Sequence, residues 1–117
     1  MKTTIEANDQ AKEFSEKLKV TVHVRRYELS SIDAAICFIR EPSYDELAVA
    51  FEKMAVGSAI DGAEIIFERC ALKEESDPRF FDKNNARLRL TVVASCIEFV
   101  KGYEDTVKKK STDIPVR

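Results

Sequence analysis

Cys37, Cys70, Cys96 and His23 are the residues of this chain best suited to metal or nucleophilic chemistry, and their spacing argues against both. The cysteines are far apart and each lies inside an apolar run, with no CxxC pair and no His-x-x-x-His spacing beside them. A zinc site would need the fold to gather four distant ligands. The simpler reading is three buried small hydrophobes in a reducing compartment. His23 sits among strand residues with no nucleophile near it in sequence, so no base–nucleophile pair is in view. The acidic pairs Asp45–Glu46 and Glu74–Glu75 occupy a helix first turn and a loop, and neighbouring acids on a helix point away from each other. No catalytic residue, cofactor or metal is therefore expected, and the chain reads as non-enzymatic.

Those residues must be positioned by a small framework. The 117 residues fit one domain with one core. Hydrophobic residues make up 44% and charged residues 34%, with 3 Gly and 3 Pro, a balance that points to a folded domain leaning towards helix. Lys and Arg number 19 against 21 Asp and Glu, a net charge of −2 that supplies no footprint for nucleic-acid binding. The N-terminal stretch "MKTTIEANDQAKEF" has no apolar core of signal-peptide type, and no run approaches the length of a membrane span. A cytoplasmic location is expected, without membrane or nucleic acid as partner.

Ala7, Ala11, Phe14 and Leu18 form one apolar stripe and predict a first helix over "TIEANDQAKEFSEKLK". Val20, Val22 and Val24 then alternate with Thr21, His23 and Arg25, which predicts a half-buried strand with His23 on its polar face. A second strand follows over "AAICFIR". The connection Tyr27–Asp33 lacks Gly and Asn-Gly, so a longer loop or an extension of the strands is expected in place of a tight two-residue turn. Its shortness still favours antiparallel pairing.

The stretch "CFIREPSYDEL" ends that strand and starts a helix. Pro42 cannot donate to a ladder, and Ser43 with Glu46 matches a capping box. Tyr44, Leu47, Ala48, Phe51, Met54 and Ala55 predict the buried stripe of this helix, with Gly57 at its C-cap. A shorter helix over "SAIDGAEIIFERCAL" is capped by Ser58 and buries Ile60, Ala63, Ile66, Phe67 and Cys70. A polar loop around Asp77-Pro78 leads to one long helix from Ala86 to Lys110. Leu88, Val92, Cys96, Phe99, Tyr103 and Val107 line one of its sides, and Leu90, Val93, Ile97 and Val100 line another. A helix so apolar must be central to the core or covered by another chain. The expected fold is α+β: an N-terminal helix, a two-stranded antiparallel β-hairpin, then three helices with a long C-terminal one. Residues 1–110 form the single domain, and 111–117 a flexible C-terminal tail.

The stretches "VTVHV", "AAICFIREPSYDELAVAFEKM", "GAEIIFERCAL" and "LTVVASCIEFVKGYEDTVKKK" together resemble the tail assembly chaperones of long-tailed bacteriophages and prophages over roughly residues 18–110. The matching residues determine fold and form no catalytic fingerprint. Two departures stand out: relatives often have glycines and a tryptophan near "CALKEESD", where this chain has Ala71 and no Trp, and "YELSSID" replaces a tight acidic turn. The resemblance implies a non-enzymatic protein of the bacterial host cytoplasm, absent from the finished virion. It would bind the tape-measure protein, shield its apolar stripes, and yield to tail-tube subunits as they polymerise. Self-association is expected too. The alternative is a small phage or mobile-element adaptor domain with another protein partner.

Candidate partner contacts are Arg40, Tyr44, Phe51, Phe80, Phe81, Leu90, Val93, Ile97 and Val100. Each has a plainer role beside the functional one. Arg40 can pair with a nearby acid, while Tyr44 and Phe51 have core spacing. One of Phe80 and Phe81 can plug the core while the other meets a partner. Lys108–Lys110 suits the negative end of a helix dipole, and consecutive lysine codons also suit the programmed frameshift common in genes of the family.

Overall fold

The computed structural model describes residues 4–102. In order they form α1 (Thr4–Leu18), β1 (Val22–Ser30), β2 (Asp33–Arg40), α2 (Tyr44–Val56), α3 (Ala59–Cys70), a 3₁₀ turn (Pro78–Phe81) and α4 (Ala86–Ser95). This is the α+β order that the hydrophobic periodicities predict.

The two strands pair antiparallel, with Val24 opposite Phe38 and Arg25 opposite Cys37. Both faces of the sheet are covered, which is why β2 is apolar almost throughout. On one face Val22, Val24, Ile36 and Phe38 meet Ala7, Ala11 and Phe14 of α1. The two alanines let the helix lie close to the sheet, and the Phe14 ring stands edge-on to Phe38 at 5.1 Å. On the other face Tyr27, Ala35, Cys37 and Ile39 join the main core with Ile66, Phe67 and Cys70 of α3 and Val92, Val93, Cys96 and Val100.

His23 therefore has no open polar face, contrary to the strand reading. Its ring packs against Phe99 at 5.0 Å and Nε2 lies 3.1 Å from Glu41 Oε2. Arg25 beside it lays its guanidinium over the same Phe99 ring and donates to Ser95 Oγ. The connection between the strands is also tighter than expected. The strands extend to Ser30 and Asp33, leaving Ser31 and Ile32 as a two-residue turn. In the absence of Gly, Ser30 Oγ accepts from the Ile32 amide, and a bulge between Glu28 and Ser30 absorbs the misfit.

The free edge of β2 is closed by residues 71–77. Leu72 N donates to Phe38 O, Phe38 N donates to Ser76 Oγ, and Asp77 N donates to Ile36 O. Ser76 is the buried polar residue that makes this possible. Leu18, expected on the buried stripe of α1, is 45% exposed, because the helix ends there. Lys19 takes a left-handed backbone with φ 59°, and Val20 N bonds back to Ser15 O.

The predicted capping box of Ser43 with Glu46 forms on α2, and the predicted cap Ser58 forms a second box on α3 with Asp61. The last helix departs from expectation. It breaks at Cys96, where the backbone bonds tighten to Cys96 N–Val93 O and Phe99 N–Cys96 O, and becomes helical again over 97–102. Ser95 Oγ donates to Val92 O within the preceding turn, a competing bond that favours a bend. The expected continuation to Lys110 and the tail 111–117 lie outside the described residues, as do Tyr103, Val107 and Lys108–Lys110.

Candidate partner-binding surface

Arg40, at the end of β2, is the hub of the corner. Its Nη1 and Nη2 each donate to one Glu46 carboxylate oxygen at 2.7 Å, and Nη2 also donates to Arg69 O at 3.0 Å. A planar guanidinium and a carboxylate suit this two-pronged geometry. Glu46 is already committed to the cap, accepting from Ser43 N at 2.9 Å. One carboxylate thus ties the strand end to the start of α2, and the arginine reaches on to the end of α3. The Arg40 hydrogen bonds hold the Glu46 carboxyl down at about 2. Of the two roles open to Arg40, the observed one is internal pairing with an acid.

Beyond that corner α2 packs mainly on α3. Gly62 permits the approach: a Cβ there would stand 2.3 Å from Met54 Cγ and 2.6 Å from Ala50 O. The closest approach thus falls at Ala50 and Met54, with Leu47 on the same side: Leu47 and Met54 of the predicted stripe do turn to the core, Tyr44, Phe51 and Ala55 do not, and Ala50, outside that stripe, is fully buried. Tyr44 is 70% exposed and Phe51 36%, against the core role their spacing suggests. With no sheet above it, α2 needs only one narrow apolar side.

Its outward side carries Val49, Glu52, Lys53 and Val56 at the i, i+3, i+4, i+7 positions of one helical stripe. Val49 is 39% and Val56 85% exposed. Together with Ala55 and Ile65 of α3 these residues line a shallow depression of about 450 Å³. Two valines seven residues apart were a legible signal in the sequence, hidden by the stronger aromatic stripe beside them.

The other candidate contacts divide by burial. Phe80, Val93 and Val100 are fully enclosed in the core and present nothing to a partner. Phe80 packs against Tyr27, while Phe81 is half-buried against Phe67 with ring centroids 5.2 Å apart. Ile97 is half-buried on the same core, and Leu90 is exposed. The expected patch of Leu90, Val93, Ile97 and Val100 is therefore not a patch, because Val93 and Val100, seven residues apart, lie on the enclosed side with Val92 and Cys96. The turn carrying the two phenylalanines is anchored by Arg79, which forks onto Asp33 and Asp77 and holds both carboxyls below the usual range. Arg89 stacks on the Phe67 ring and pairs with Glu64, joining α4 to α3.

All three cysteines are free and buried. Burial pushes the Cys37 thiol up to about 11 and those of Cys70 and Cys96 to about 12. They are packing groups, far from thiolate chemistry at neutral pH. Among the described residues no cluster of His, Cys, Asp and Glu could hold a metal ion, and no helix is long and apolar enough to cross a membrane. No known protein family, curated protein or solved structure matches the chain.

Proposed function

We propose that this protein is a phage tail assembly chaperone-like factor that binds an apolar-striped helical client, the tape-measure protein, and keeps it soluble in the host cytoplasm until tail-tube subunits replace it. The observation that supports this best is the depression lined by exposed Val49 and Val56 of α2 and half-buried Ile65 of α3, on the side of α2 away from the core. A groove along two helices suits an amphipathic helix laid across it. The resemblance of residues 18–110 to tail assembly chaperones supplies the identity of the client. A shallow site favours weak, repeated contacts along a long rod, which a polymerising tube can displace.

Co-expression with a phage tape-measure protein as the client, followed by pulldown and a solubility assay, tests the reading. Soluble client bound to this chain, reduced by Val56→Asp, is expected. A client equally insoluble with and without this chain overturns the proposal and leaves an adaptor domain with another partner.

A further inference from the structure

The outward stripe of α2 is complementary to itself. Val49 and Val56 lie at its ends, about 10 Å apart along the helix axis, and the opposite charges Glu52 and Lys53 lie between them. Among the described residues neither charge is held in an ion pair. A two-fold axis passing between Glu52 and Lys53 would set an identical helix antiparallel to the first. Each Val49 would then meet Val56 of the second copy, and each Glu52 would meet its Lys53. A parallel arrangement would instead oppose Glu52 to Glu52 and Lys53 to Lys53, so the charge order selects one direction.

We infer that this stripe is a self-association seam, in which α2 of one chain packs antiparallel against α2 of a second copy, with Ile65 of α3 flanking the contact. Two-fold symmetry requires each surface patch to complement itself, and this stripe meets that condition in both its apolar and its charged positions. The seam is only two helical turns long, well short of the roughly 1,200–2,000 Å² of a stable interface. The dimer is accordingly weak and transient. The inference concerns the isolated chain and holds whatever its client is. Where the same depression receives a client helix, the second copy and the client exclude each other.

Sedimentation equilibrium of the full chain up to about 1 mM tests this, with circular dichroism melts as the control for folding. Wild type should show a concentration-dependent dimer. Glu52→Lys alone and Lys53→Glu alone each turn two attractions into two repulsions, and each should weaken the dimer by about tenfold. An equimolar mixture of the two variants should restore association as a heterodimer, and the double variant Glu52→Lys/Lys53→Glu should self-associate like wild type. All four positions are exposed, so the melts should stay unchanged. A wild-type chain monomeric throughout, or a dimer indifferent to both single reversals, overturns the inference. Client binding is read in a separate assay, so either result leaves the proposed function to stand or fall on its own data.

Discussion

An alanine at position 62 would force α2 and α3 apart. Its Cβ would meet Met54 Cγ at 2.3 Å and Ala50 O at 2.6 Å, where ordinary contact lies beyond 3.4 Å. The methionine side chain can swing away. The Ala50 carbonyl belongs to the helix backbone, so the helices themselves must shift by several tenths of an ångström. Overpacking of this kind costs about 1–3 kcal/mol, while exchanging Gly for Ala within a helix returns about 1 kcal/mol. The expected net loss is about 1 kcal/mol, the middle of that difference, a fall in Tm of roughly 4–8 °C for a small domain. Urea and thermal unfolding followed by far-UV circular dichroism measure it. Gly102→Ala is the control, because nothing stands within 4 Å of a Cβ built there. A Gly62→Ala protein as stable as wild type, or more so, would show that α2 does not depend on this approach.

Three further outcomes follow from particular contacts. The Glu46 carboxyl falls from its ordinary 4.5 to about 2 through its bonds to Arg40, so the stability it contributes is present above about pH 4.5 and disappears as pH falls towards 2; acid titration of unfolding should show this slope in wild type and a smaller one in Arg40→Met, and equal slopes would refute the role of the fork. The buried, raised thiols of Cys37, Cys70 and Cys96 should label slowly with a thiol reagent at pH 7 and rapidly in denaturant, and rapid native labelling would contradict their enclosure. Lys19 holds a left-handed backbone that suits glycine, so Lys19→Gly should raise stability by about 0.5–1 kcal/mol in urea unfolding, and a destabilised variant would count against the helix-end geometry.

Local chemistry was legible where it acts over a few residues. Ser43 with Glu46, and Ser58 alone, announce two helix starts, and the alternation of β1 and the apolar run of β2 announce the hairpin. What could not be read depends on neighbours distant in sequence. The side of α2 that turns inwards is decided by a glycine on another helix, and Gly62 reads in sequence only as a weak helix former. Ser76 looks like one polar loop residue among several, yet its hydroxyl completes the edge of β2. The two-residue turn at Ser31 and Ile32 forms without the usual glycine because a bulge relieves it, and a bulge leaves no composition signal. Arg40 was visible as a strand-end cation, but its fork onto Glu46 and the Arg69 carbonyl required three elements to converge.

The attachment of α2 determines what its outward side is free to do. Its first turn is fixed by Ser43 and by the Arg40–Glu46 fork, and its middle is fixed where Ala50 and Met54 meet Gly62. None of these contacts uses Val49, Glu52, Lys53 or Val56. Residues that share no partner act on stability almost independently, so changes on the outward stripe should alter association while leaving unfolding nearly untouched, and Gly62→Ala should do the reverse. An exposed valine pair contributes little to the core of a domain this small, and apolar side chains held open to water favour association. The stripe thus adds little to the core beneath it, which is what the proposed docking role requires.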